Sequence, residues 1–67
     1  MLSARNQFEG KVKSVKLGTV MAEVVVTVGN LEFVAAITRG SAESLGLKTG
    51  DAVKTIVKAT EVMIAKG

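Results

Sequence analysis

The sequence predicts an all-β fold of five short strands, with one short helix between the third and the fourth. Three observations carry this expectation. Valine-rich runs alternate with the period of two that an extended strand imposes. Glycine rather than proline punctuates them, since the chain has 7 glycines and no proline. And the pair Gly29-Asn30 separates two such runs by only two residues, the spacing of a tight hairpin turn.

The elements follow in chain order. "KVKSVKL", residues 11–17, reads as the first strand. Val12 lies on one parity and Val15 and Leu17 on the other, so a β-bulge or strong bend is expected near Lys13 and Ser14. "VMAEVVVTV", residues 20–28, places Val20, Ala22, Val24, Val26 and Val28 on one face and Met21, Glu23, Val25 and Thr27 on the other. The first face is a core face, and the second is only half polar, which suits contact with another subunit. After the Gly29-Asn30 turn, "LEFVAAIT" returns with Leu31, Phe33, Ala35 and Ile37 opposed to Glu32, Val34, Ala36 and Thr38.

"TRGSAESLGL" then breaks the alternation. Thr38 is placed to cap a helix over residues 39–45, with Gly46 as its C-terminal stop and Ser41 as an alternative cap. "KTGD", residues 48–51, is a turn. "AVKTIVK" and "EVMIA" are the last two strands, with Ala59-Thr60 at the kink between them. Five curved strands with a helix after the third is the order of an OB-like Greek-key barrel. A small SH3-like barrel is the alternative.

At 67 residues the chain is one domain, over residues 1–67. A chain this short leaves a marginal core, and small folds compensate with disulfides, a metal or self-association. Cysteine and histidine are both absent, so disulfides are excluded and a structural zinc site is not expected. Hydrophobic residues make up 48% of the chain, although Phe8 and Phe33 are its only aromatics, both expected in the core. That is more aliphatic surface than one small interior can hold, so burial between subunits of a homo-oligomer is expected. No run approaches the ~18 apolar residues of a membrane span, and no signal segment opens the chain. A cytoplasmic protein with no membrane partner is the expectation.

The usual catalytic chemistry lacks its parts. Ser–His and Cys–His nucleophiles need residues that the chain does not contain. Its six acids, Glu9, Glu23, Glu32, Glu43, Asp51 and Glu61, are scattered. No glycine pattern matches a phosphate-binding loop. An enzyme is not expected. A small nucleic-acid-binding OB-type barrel is the alternative function, because barrels of this order often bind single strands and the net charge is +3. That role uses stacking platforms, and the chain has no Trp or Tyr.

Hydrogen-bond donors gather in three acid-free places: Ser3 to Gln7, Thr38 to Ser41, and Lys58 to Thr60. Main-chain amides at a helix start favour an anion, hydroxyls of Thr38 and Ser41 add donors, and Arg5 and Lys58 supply charge. A plainer reading stands beside this one. Thr38 or Ser41 caps a helix, Lys58 is a surface lysine, Arg5 pairs with an acid such as Glu61, and Ser3 and Asn6 are ordinary residues at a strand start.

Together, "SARNQF" (residues 3–8) with "GKVKSV" (10–15), "ITRGSAESLGLKTGD" (37–51) and "TIVKATEVMIA" (55–65) closely resemble the molbindins, small molybdate- and tungstate-binding proteins. The resemblance covers almost the whole chain, in order. It implies an OB-like barrel that assembles as a hexamer, a trimer of dimers. It implies molybdate or tungstate as the bound ligand, held at subunit interfaces by hydrogen bonds, with neither a directly coordinated metal cation nor an organic cofactor. Carried onto this chain, it implies that Ser3, Arg5, Asn6, Lys58, Ala59 and Thr60 come from one subunit. Thr38, Ser41 and the amide of Ala42 come from its neighbour. A second class of site near the threefold axes is also implied, for which residues 18–20 are the candidates. The implied role is storage and homeostasis of the oxyanion.

Overall fold

The computed structural model describes residues 5–67. Four strands, β1 (Asn6–Leu17), β2 (Met21–Val28), β3 (Leu31–Thr38) and β4 (Ala52–Val57), form one antiparallel sheet in the order β3-β2-β1-β4. One helix, α1 (Arg39–Leu45), joins β3 to β4, and a short 3₁₀ turn (Ala59–Glu61) follows β4.

The expected bulge is present. Val12 pairs with Val26 and Ser14 with Val25, so Lys13 is the extra residue of β1. The insertion brings Val12 and Val15, three positions apart, onto one face opposite Val26 and Val24. That face is the core. Val12, Val24 and Val26 are buried, packed by Val15, Val28, Ala35, Ile37, Leu47 and Val53. Ala22 and, from α1, Ala42 are buried as well.

β1 is shared between two ladders. Its first half, Asn6 to Lys11, pairs with β4, and its second half, Lys11 to Leu17, pairs with β2. The half next to β4 lies N-terminal to the expected strand, which began at Lys11. β2 begins at Met21 and leaves Val20 69% exposed.

Gly10, inside β1, marks a close approach. A Cβ there would strike the Thr27 carbonyl oxygen and come within 2.8 Å of Val28 Cγ2. The Gly29-Asn30 turn joins β2 and β3 in the register Val28 to Leu31, as the pattern predicts. α1 starts and stops where its signals place it. Thr38 caps it from extended backbone, and Gly46 ends it in the left-handed region (φ 62°) that favours glycine.

The fifth strand is corrected. Residues 62–67 form no strand, and the described sheet is an open four-stranded one rather than a closed five-stranded Greek-key barrel. The reason is pairing. A strand needs a neighbouring ladder, β4 already pairs with β1, and "EVMIA" finds no ladder among the described residues. Its apolar side chains are instead exposed: Met63 is 91% and Ile64 89% accessible. Phe8 and Phe33 are corrected in part. Their rings stack at 5.4 Å, but Phe8 is exposed at the margin of the core.

Candidate functional site

The β1–β4 ladder ends at the pair Asn6 and Val57. Antiparallel pairing sets the next residues, Arg5 and Lys58, on the two strands leaving that end. Two cationic residues, 53 positions apart in sequence, are thereby brought to one edge of the fold. Ala59 and Thr60 follow Lys58 in the 3₁₀ turn, whose first amides have no acceptor within it. Arg5, Lys58, Ala59 and Thr60 are exposed and Asn6 is half-buried. Ser3 lies outside the described residues.

The second group is built by the helix cap. Thr38 Oγ1 accepts from the Ser41 amide at 3.1 Å and donates to Ser41 Oγ at 2.8 Å. Ser41 and Thr38 are exposed, while Ala42 beside them is buried against the sheet. The structure thus selects Thr38 over Ser41 as the cap. Thr38→Ala removes both bonds and is expected to destabilise the fold by about 1 kcal/mol. That corresponds to a Tm drop of about 4–8 °C in a domain of this size. Thr38→Ser retains the bonds, and thermal melts of both variants check the difference.

The two groups do not meet within one chain. Thr38 pairs with Met21 at the start of β2, and that end of the sheet lies beside Leu17 at the far end of β1. Arg5 sits before the near end. A straight strand the length of β1 would span roughly 36 Å at ~3.3 Å per residue. A single anion cannot bridge that distance.

Part of the remaining charge is paired. Lys13 pairs with Glu32 and Arg39 with Glu43. Glu9 faces Lys54 and Glu23 faces Lys16 across the ladders, and Asp51 accepts the Lys48 amide at 2.9 Å. Lys13–Glu32 and Arg39–Glu43 are the only ion pairs among the described residues, and neither Arg5 nor Lys58 is in one. The expected alternative pairing of Arg5 with Glu61 is therefore not formed.

Arg39 was not singled out by its sequence position. Its Nη1 donates to the Gly18 carbonyl at 3.2 Å, its Nε to Glu43 at 3.4 Å, and its amide to the Val20 carbonyl at 2.8 Å. It ties residues 18–20 to the first turn of α1. The i,i+4 spacing to Glu43 was a readable signal; the contact with Gly18, 21 positions away, was not. Within residues 18–20 the carbonyls of Gly18 and Val20 face Arg39, and a carbonyl is the wrong polarity for an anion. Among the described residues no three His, Cys, Asp or Glu side chains gather as for a metal ion. No helix among the described residues is long and apolar enough to cross a membrane.

The fold defines a class: small all-β, OB-like domains with one capped helix. The chain belongs to the TOBE domain family, whose model matches residues 2–64. It is 45% identical over 64 residues to molybdenum-pterin-binding protein 2 of Clostridium pasteurianum, covering 94% of each chain. Among solved structures it resembles a molybdate-binding protein from Sporomusa ovata, with a TM-score of 0.94 at 45% identity over 98% of both chains. It also resembles MopII from Clostridium pasteurianum, with a TM-score of 0.92 at 43% identity over 98% of this chain and 100% of that one. The resemblance carried by the three sequence blocks holds.

Proposed function

We propose that this protein binds molybdate or tungstate between copies of itself, as a cytoplasmic store that buffers the free oxyanion. One observation carries the reading. Arg5 and Lys58 follow the last pair of the β1–β4 ladder, outside any ion pair among the described residues, at the opposite end of β1 from the hydroxyls of Thr38 and Ser41. A site that uses all of them needs two chains. In it, Ser3, Arg5, Asn6, Lys58, Ala59 and Thr60 of one copy would face Thr38, Ser41 and the Ala42 amide of the next. A hexamer built as a trimer of dimers would repeat that junction.

The donor set suits the ligand. Molybdate is a tetrahedral dianion whose oxygens only accept hydrogen bonds, so a carboxylate in the pocket would repel it. Hydroxyls and amides are directional donors. Arginine grips two oxygens at once, and lysine acts as a compact point charge. Hydrogen bonds to a charged partner contribute about 1.5–3 kcal/mol each, and several together offset dehydration of the dianion. The names of the relatives support the ligand class.

The mutual stacking of Phe8 on Phe33, which occupies one face of each ring, disfavours the nucleic-acid alternative. Titrating the protein with molybdate and with a short oligonucleotide, each at two salt concentrations, tests the reading. Saturable, stoichiometric molybdate binding with little response to the oligonucleotide is expected. A steep salt-dependent oligonucleotide response with no molybdate binding would overturn it.

A further inference from the structure

We infer that Arg39 is a positioning residue for the oxyanion site: it fastens the first turn of α1 to the bend at residues 18–20, and so fixes the direction in which Thr38 and Ser41 present their hydroxyls. The inference rests on the reading of those hydroxyls as half of a molybdate pocket. It adds a residue that acts on the pocket through its neighbours rather than by touching the anion.

The anchor is the bend before β2. The Gly18 amide donates to the Met21 carbonyl at 2.7 Å, and a Cβ on residue 18 would stand only 2.8 Å from that same oxygen. The bend is thus tightly closed, and its Gly18 carbonyl accepts from Arg39 Nη1 at 3.2 Å. Thr38, the last residue of β3, is paired with Met21. The Arg39 amide then donates to the Val20 carbonyl at 2.8 Å, which carries the contact between β2 and β3 one step past the ladder and into the helix. Arg39 Nε reaches Glu43, one turn along α1, at 3.4 Å. One residue therefore joins the bend, the end of the sheet and the helix.

The helix needs such a fastening. α1 has 7 residues, well under the roughly 12–15 at which a helix begins to hold its own shape in water. Its direction is set by what it is tied to. Ala42 packs it against the sheet, and Arg39 holds its first turn. Thr38 Oγ1 and Ser41 Oγ are bonded to each other, so both hydroxyls turn with that first turn. The exposed ion pair with Glu43 adds little stability by itself. What the guanidinium supplies is direction, because its planar fork serves the Gly18 carbonyl and the Glu43 carboxylate at fixed angles, which a lysine ammonium does not.

The test titrates molybdate calorimetrically into the full-length wild type, Arg39→Lys, Arg39→Gln and Glu43→Gln. Protein concentrations are those at which native mass spectrometry gives each variant the wild-type mass, and ligand-free melts are recorded alongside. In metal sites a group that orients a binding residue is worth about 10-fold or more in affinity, and a loss of about 10-fold is expected for Arg39→Lys and Arg39→Gln alike. Arg39→Lys keeps the charge and loses the fork, so wild-type affinity in it would reduce Arg39 to a distant positive charge and overturn the inference. A lower melting temperature with unchanged affinity in both Arg39 variants would make the residue purely structural, and would also overturn it. Glu43→Gln breaks the ion pair within α1 but leaves the Gly18 contact, and should bind as the wild type does. A loss equal to that of Arg39→Lys would assign the effect to the helix alone, against the inference. Should the wild type take up no molybdate, the pocket itself is refuted and the inference falls with it; should it bind and the Arg39 variants match it, only the role of Arg39 is refuted.

Discussion

Gly10→Ala should lower the stability of the fold more than any other addition of one methyl group. The new Cβ would meet the Thr27 carbonyl oxygen, with Val28 Cγ2 at 2.8 Å and Val26 Cγ1 at 3.0 Å. The two valine methyls can shift slightly, but the carbonyl belongs to β2, whose ladder to β1 includes Lys11 to Thr27. Relief therefore requires the strands to part where β1 passes from one partner to the other. Overpacking of this kind costs about 1–3 kcal/mol. A domain of this length has roughly 3–10 kcal/mol in total. A urea midpoint lowered by a large fraction, with the slope unchanged, is the expected result. Gly40→Ala is the control, since a Cβ there meets nothing within 4 Å. Equal midpoints for Gly10→Ala and wild type would show that β1 and β2 do not approach as described.

Arg5→Ala and Lys58→Ala should each weaken molybdate binding about 10- to 150-fold, as expected for losing a charge-assisted contact of about 1.5–3 kcal/mol. Neither side chain supports the fold through an ion pair, and both are exposed, so the melting temperature without ligand should hardly move. Arg5→Lys should recover only part of the affinity, because one point charge replaces a two-pronged grip. Calorimetric titration of the three variants decides the matter. Wild-type affinity in Arg5→Ala or Lys58→Ala would remove that residue from the site.

Local signals were legible in the sequence. The Gly29-Asn30 turn, the bulge at Lys13, and the span of α1 with its Thr38 cap and Gly46 stop all follow from short-range steric and hydrogen-bonding rules. What failed was pairing. Residues 62–65 have a strand's alternation, but a strand exists only against a neighbour, and no local pattern says whether one is there. The early start of β1 was missed for the converse reason, since "NQFEG" has weak alternation and is held extended by β4. The candidate residues were found by donor type and by resemblance to a family. Their division into an Arg5/Lys58 end and a Thr38/Ser41 end required the register of the sheet, and the Arg39 link to Gly18 required its tertiary contacts.

The division of β1 between two partners ties both edges of the sheet to one strand: residues 6–11 hold β4 and residues 11–17 hold β2. Arg5 and Lys58 leave the same end of the β1–β4 ladder, so the register of that ladder sets how their main chains stand against each other. A slip of β4 by one pair would offset the two cations along the edge and leave the β2–β3 hairpin untouched.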